Sequence, residues 1–352
     1  MAQLMGMMRV TLFGSRNDAA ASGKGASFDP ARDIPSLAGK VVLITGAAGD
    51  LGRTAAVQLA RYGNPTRLYV ADLPRGPDEK EELLGRIARE AYETPEEKGS
   101  EARPDKSNSG SRDGAKSPTE FRFLDLDLSS LETVRACAAE FLAREERLDV
   151  LVLNAGIIRV AAGTTREGYE SHFGINYVGH ALLSRLLIPT LVRTAEQLHS
   201  DARIVVVSSE GHAMAPKGGI QFDKVKTSCA KMSYTQRYGQ SKLALIGLAK
   251  QLARRYPQVK VAAVHPGRVV TGMAYSLSKE SLLVRITGPL APLICVPLAA
   301  GVRNHLWAAT SPAVVSGKYY EPVGVPDKES ATAKDDGLSD QLWEWTEKEL
   351  GN

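Results

Sequence analysis

The chain has 352 residues, 43% of them hydrophobic and 24% charged, with a formal net charge of +4. That balance fits a globular protein and excludes a disordered one. The lysines and arginines are scattered rather than clustered, which argues against a nucleic-acid partner, and no run of about 18 uninterrupted apolar residues marks a membrane span.

Residues 1 to about 38 are rich in Gly, Ala and Ser and read as a disordered tail. Arg9 and Arg16 without an acid among the first sixteen residues faintly suggest a transit peptide. The three cysteines, Cys137, Cys229 and Cys295, are far apart and odd in number. They suit a reducing, cytoplasmic setting and lack metal-ligand spacing, so no metal is expected.

The remainder, 39–352, reads as one domain. Lys40–Thr45 (KVVLIT) is a short apolar run of the kind that forms a buried parallel strand. Helical periodicity follows from Leu51 to Tyr62, then a strand at Arg67–Ala71 and a helix at Asp78–Tyr92. Residues 94–118 are Glu, Lys, Ser, Gly and Pro with almost nothing apolar, and read as a disordered insertion. Further strands are expected at Phe121–Leu124, Val150–Leu153, Arg203–Val207 and Lys260–Val264. Helices are expected at Leu131–Arg144, Tyr169–Val192, Gln240–Tyr256 and Ala299–Ala309. Such strand–helix alternation predicts an α/β fold, a single doubly wound domain with a parallel sheet and helices on both faces.

Thr45-Gly-Ala-Ala-Gly-Asp-Leu-Gly52 directly follows the first strand. Glycines there let the backbone turn tightly and approach a pyrophosphate at a helix N-terminus. Asp72, twenty residues past Gly52 at the end of the second strand, can accept from the adenosine ribose hydroxyls. It would repel a 2′-phosphate, which favours NAD(H) over NADP(H). A plain turn-capping Asp before Pro74 is the other reading, and Arg53 and Arg75 stand close enough in sequence to soften the preference.

Tyr238 and Lys242 are four apart, on one helical face. A phenol titrates near pKa ~10, and a fixed ammonium beside it lowers that value toward a working range for proton transfer. Three strand ends point to the same edge: Ser208-Ser209, Asn154-Ala-Gly156 and His265-Pro-Gly-Arg-Val-Val-Thr271. Doubly wound folds bind ligands along that edge.

Together these segments resemble the short-chain dehydrogenase/reductase family, from about Gly39 to Tyr320. The resemblance implies an enzyme that moves a hydride between a nicotinamide cofactor and a carbonyl or alcohol carbon. It makes Tyr238 the proton donor or acceptor, with Lys242 lowering its pKa and holding the nicotinamide ribose. Ser209 then orients the substrate oxygen, while Ser208 is structural. Asn176, in FGINYVGHALL, matches the asparagine that holds a water linking Lys242 to solvent. For the cofactor it implies Gly46, Gly49, Leu51 and Gly52 in the turn, with Asp72 at the ribose. Asp127 contacts adenine, with Asp125 as a rival. Asn154, Ala155 and Gly156 follow, then Pro266, Gly267, Val269 and Thr271 around the nicotinamide.

GYESHFGINYVGHALLSRLLIP and the long gap from Ser209 to Tyr238 look like the retinol-dehydrogenase-like branch. SGKYYEPVG and LWEWTEKEL are similar to its fungal members, many of which act in secondary metabolism. A substrate lid is implied at 272–300, and its apolar run Leu282–Leu298 suits a bulky apolar small molecule. A homo-oligomer is compatible with this reading. One departure stands out: the commonest family turn carries glycine where this chain has Asp50, which weakens the expectation of tight cofactor binding. The competing reading is a catalytically silent nucleotide-binding regulatory protein on the same fold.

Overall fold

The structure, a computed structural model, describes residues 27–93, 118–269 and 296–351. Residues 94–117 of the expected 94–118 insertion, Thr271 and most of the expected lid lie outside the described residues.

Eight strands form one sheet in the order β3-β2-β1-β4-β5-β6-β7-β8. They are β1 Val41–Thr45, β2 Arg67–Asp72, β3 Glu120–Asp125, β4 Val150–Leu153, β5 Arg203–Val207, β6 Lys260–Val264, β7 Tyr319–Glu321 and β8 Val325–Pro326. All neighbours are parallel except the short β7–β8 pair. The fold is therefore the doubly wound α/β domain that the alternation predicts.

Side chains of successive strand residues point to opposite faces, which splits the core in two. Leu43, Tyr69, Leu151 and Ile204 belong to one cluster, and Val42, Ile44, Val70, Val152 and Val205 to the other. Helices α1 Asp50–Gln58 and α2 Pro77–Tyr92 contribute Ala55, Ala56 and Ile87 to the second cluster. Helices α3 Leu131–Arg144, α4 Gly179–Gln197 and α5 Tyr234–Arg255 supply Phe141, Leu183 and Leu245 to the first. Helix α6 Arg303–Thr310 covers the second face, and α7 Asp336–Leu350 closes over the first.

From β1 the chain winds outward to β3, then crosses back to start β4 on the other side of β1. The carboxyl ends of β1 and β4 consequently flank a topological switch point, where a crevice opens.

Several boundaries differ from expectation. Residues 27–38 are no free tail: Phe28, Ile34 and Leu37 are buried in the second cluster, and Leu37 N–H donates to Gly63 O at 2.6 Å. Three apolar side chains in a Gly/Ala/Ser-rich stretch suffice to anchor it. Helix α5 starts at Tyr234, ahead of the expected Gln240, capped by a Ser233–Gln236 box, so Tyr238 lies in its second turn. The expected Tyr169–Val192 helix instead begins with a π-turn, Phe173–Val178, that runs into α4. Phe173–Gln197 is long and apolar enough to cross a membrane by length and composition, but most of it is buried in the domain core. Among the described residues no other helix passes that test.

Candidate active site

The glycine turn is shaped first by its own packing. Gly46 has φ +68°, and a Cβ there would sit 2.8 Å from Ala155 Cα. A Cβ on Gly52 would sit 2.7 Å from Asn154 Nδ2. Only glycine lets β1, the turn and the Asn154 segment come this close. At Gly49 the nearest atom is 3.4 Å away, an ordinary contact.

A cavity of about 720 Å³ opens at the switch point. Its wall includes Gly46, Gly49, Leu51, Gly52, Asp72, Asp127, Asn154, Ala155 and Gly156, so nine of the expected cofactor residues meet there. Asp50, the first residue of α1, also lines it. The N-terminus of α1 presents backbone N–H groups and the positive end of the helix dipole to this space, a fit for a pyrophosphate.

Asp72 is held from both sides. Its Oδ2 accepts the Ala48 N–H and its Oδ1 the Leu73 N–H, each at 2.9 Å. The carboxylate thus braces the glycine turn as well as facing the cavity. Arg53 is committed elsewhere, to an ion pair with Glu90, whereas Arg75 remains 3.7 Å from Asp72. Asp127 lines the cavity while accepting from Ser129 N–H and Oγ–H. Asp125 pairs with Lys80 at 2.7 Å and is not among the lining residues.

Below the turn lies a polar network that sequence reading did not find. Thr45 Oγ1 accepts the N–H groups of Asn154 and Ala155 at 2.9 and 3.0 Å. It also lies 2.9 Å from His180 Nε2. His180 Nδ1 faces the Asn176 carbonyl at 2.8 Å. A carbonyl only accepts, so Nδ1 carries the proton and Nε2 accepts from the Thr45 hydroxyl. Burial pushes this imidazole down to about 4, which keeps it neutral. Asn176 in turn donates to Ile157 O at 3.1 Å and Ser241 Oγ at 2.9 Å, and accepts the Ile157 N–H at 2.8 Å. The π-turn carrying Asn176 is thereby clamped to the glycine turn and to α5.

Ser209, Tyr238 and Lys242 come together beyond the end of β5. Ser208 Oγ donates to Lys242 O at 2.7 Å, which ties β5 to α5. Ser209 is near enough to the Tyr238 phenol to draw its pKa down, and its Oγ accepts the Gly211 N–H at 3.0 Å. Lys242 Nζ donates to Val207 O at 2.9 Å and lies 5.7 Å from the Tyr238 ring centroid. Two glycines make the approach possible. A Cβ on Gly211 would lie 2.8 Å from Tyr238 Cε1, and one on Gly239 would lie 2.6 Å from Ala215 N.

The charge balance differs from the sequence expectation that Lys242 draws the phenol pKa down. Burial pushes Tyr238 up to about 12, against the smaller downward pull of Ser209. Burial also pushes the Lys242 amine down to about 8. Removal from water is the largest cause of both shifts.

The short chain dehydrogenase model matches residues 105–282, half of the chain. An uncharacterized oxidoreductase of Schizosaccharomyces pombe is 33% identical over 326 residues, 90% of this chain and 86% of that protein. Human retinol dehydrogenase 14 is 34% identical over 89% of this chain and 87% of its own. The chain belongs to the short-chain dehydrogenase/reductase family. It is accordingly a nicotinamide-dependent oxidoreductase with relatives among the retinol dehydrogenases. A crystal structure of an uncharacterized protein from Mycobacterium paratuberculosis superposes with a TM-score of 0.66 at 25% identity, over 93% of this chain and 98% of that one.

Of the residues that the family pattern assigns to the nicotinamide end, Pro266, Gly267 and Val269 follow β6. Val269 pairs with Val296, and the glycine at 301 leaves room for Val269 Cγ2 and Pro266 O. Thr271 lies outside the described residues.

Ser209 has a second brace. Ser330 N–H donates to His212 Nε2 at 3.0 Å, so the His212 Nδ1–H donates to Ser209 O at 2.7 Å. His265 and His305 are also buried close by, and burial pushes His212 and His305 down to about 4 and His265 to about 3. With His180, that makes four imidazoles kept neutral in the fold. In the unfolded chain each binds a proton near pH 6.5. Their contribution to stability is therefore complete above about pH 6.5 and is lost as pH falls toward 4, at about 1.4 kcal/mol per pH unit for each histidine. Denaturant titrations at pH 7.5, 6.5 and 5.5 should show a small change over the first step and a loss of several kcal/mol over the second, on the order of 5 kcal/mol per unit for four groups. A flat profile to pH 5.5 would show that these histidines are protonated in the native protein.

Proposed function

We propose that the enzyme interconverts an alcohol and a carbonyl on a bulky, largely apolar small molecule, with NAD(H) favoured over NADP(H). The observation that carries this reading is the convergence of Ser209, Tyr238 and Lys242, with Lys242 Nζ reaching Gly156 in the wall of the switch-point cavity. The bound nicotinamide supplies or accepts the hydride. Tyr238 exchanges a proton with the substrate oxygen, Ser209 orients that oxygen, Lys242 holds the phenol and the ribose, and Asn176 secures the turn beneath them. A retinol dehydrogenase among the relatives supports a bulky apolar alcohol, because such substrates gain affinity mainly from buried apolar area. A cytoplasmic setting and a place in secondary metabolism belong to the same reading. The first rests on the cysteine usage and the second on the likeness of the C-terminal segment to fungal members of the branch.

Cofactor preference rests on Asp72. A 2′-phosphate near this carboxylate would place like charges together, and two unit charges ~4 Å apart cost about 4 kcal/mol at a surface-like dielectric. A quarter of that shifts the preference several-fold. Because Asp72 also braces Ala48, the cleaner variant is Asp72→Asn, which removes the charge and keeps one acceptor. Turnover of a panel of apolar alcohols and ketones is to be measured with both cofactors. NAD(H) should win in the wild type by several-fold, and the gap should narrow in Asp72→Asn. No turnover of any alcohol or ketone would remove the proposed activity. A preference for NADP(H) indifferent to Asp72 would instead move the adenosine ribose away from this side chain.

A further inference from the structure

We propose that the Glu210–Arg268 ion pair is a positioning device of the reaction centre, joining the serine turn after β5 to the Pro-Gly turn after β6 and balancing the charge that faces Tyr238. The inference rests on the assignment of Tyr238 and Ser209 to the reaction. Glu210 directly follows Ser209, and Arg268 directly follows Gly267. Arg268 Nε donates to Glu210 Oε1 at 2.6 Å, with 17% and 13% of the two side chains exposed. Arg268 O accepts the Val296 N–H at 2.8 Å, so the same residue secures the stretch that resumes at Val296. An ion pair this shielded differs from a surface pair: removing either partner leaves the other charge poorly solvated.

The charges around the phenol make the pair consequential. Lys242 approaches from α5. His172, whose ring lies 6.2 Å from Tyr238, is bonded to Glu170, which also pairs with Arg237. His212, His265 and His305 are held neutral by burial, and Tyr319 is pushed up. Glu321 and Glu329 act on Tyr319 from the β7 side. Glu210 sits between Ser209 and Gly211, whose backbone abuts the Tyr238 ring, and its carboxylate disfavours the phenolate; the Arg268 guanidinium bonded to that carboxylate opposes its charge. The two partners therefore have opposite effects on the same proton.

The test is the pH dependence of kcat/KM for alcohol oxidation with NAD, using retinol or 2-decanol, whichever the wild type oxidises faster. Arg268→Gln should move the acid-side limb, where the phenolate base is lost to protonation, upward and Glu210→Gln downward, each by about half a pH unit or more. Each variant should also lose about 10-fold in kcat/KM near neutral pH, with NADH affinity by fluorescence titration changed less than about three-fold. Joining Glu210→Arg and Arg268→Glu in one chain should recover part of the loss. Shifts in the same direction, or none, would overturn the proposal while an inactive Tyr238→Phe left the main assignment standing. Oxidation of neither alcohol, or an active Tyr238→Phe, would overturn both. Where a Gln variant fails to fold by circular dichroism, Glu210→Asp and Arg268→Lys keep the charges and must keep the wild-type limb. A displaced limb in those variants also counts against the proposal.

Discussion

Tyr238→Phe should lower turnover by roughly 10²–10⁴-fold, the range expected for loss of a positioned general acid or base. Binding of the dinucleotide should change little, because the cavity is walled by the glycine turn, Asp72, Asp127 and the Asn154–Gly156 segment. The substitution removes one oxygen from a ring whose seat is set by Gly211, so the variant should keep its fold. Burial that pushes the phenol up to about 12 keeps it protonated at neutral pH. That is the form needed to donate to a carbonyl oxygen, so reduction should suffer at least as much as oxidation. Steady-state rates in both directions, with NADH binding followed by fluorescence, provide the measurement. Near-normal rates would take Tyr238 out of the chemistry.

The second large effect is on stability. Glu170→Ala should cost about 3–5 kcal/mol, because it strands a buried cation. Glu170 is fully buried and accepts from His172 Nδ1–H at 2.9 Å and Phe173 N–H at 2.8 Å. Its Oε1 also lies 3.3 Å from Arg237 Nε. Arg237 is 5% exposed and spends its other donors on Met232 O and Val160 O. The loss would be a large share of the ~5–15 kcal/mol that holds a typical domain together. Pairing Glu170→Ala with Arg237→Met should be milder than Glu170→Ala alone, since no unpaired charge then remains. Denaturant midpoints of the three variants decide the matter. A loss below about 1 kcal/mol in Glu170→Ala would mean that water reaches Arg237.

Much of this arrangement could be read from the chain. Val150–Leu153, Arg203–Val207 and Lys260–Val264 begin and end where their apolar runs do, because a strand buried on both faces needs continuous hydrophobicity. The residues along the sheet edge were found because each directly follows such a strand. What stayed hidden depends on contacts distant in sequence. Thr45 meets Asn154 across 109 residues and His180 across 135. Nothing in the local pattern around Thr45 announces either partner. Arg53 looked available to a phosphate until Glu90, 37 residues on, claimed it. Gly211 and Gly239 carry no sequence signal beyond being glycine, since their role is the space they leave. The phenol's direction of shift was missed because spacing gives the neighbour and says nothing of the burial. Strand β7 is three residues long and too short to show a period.

Helix α7 was likewise not among the elements that periodicity assigned, yet it bears on how the reaction centre comes into being. Trp345 packs edge-on against Tyr169 and Phe173, and Tyr169 OH donates to Glu349 Oε2 at 2.8 Å across 180 residues of chain. Tyr177, one residue past Asn176, bonds Thr346, and Leu342 fills the space beside Gly247 of α5. The π-turn and the helix bearing Tyr238 thus lean on the final fifteen-residue helix. Contacts that close loops this long form late, since chain entropy must be lost before they give anything back. During synthesis the dinucleotide half, built from contacts among β1 to β4, can take shape while the proton-transfer half still lacks its support. Order of assembly is therefore written into the topology: the nucleotide cradle first, and catalytic competence only once the last helix has docked.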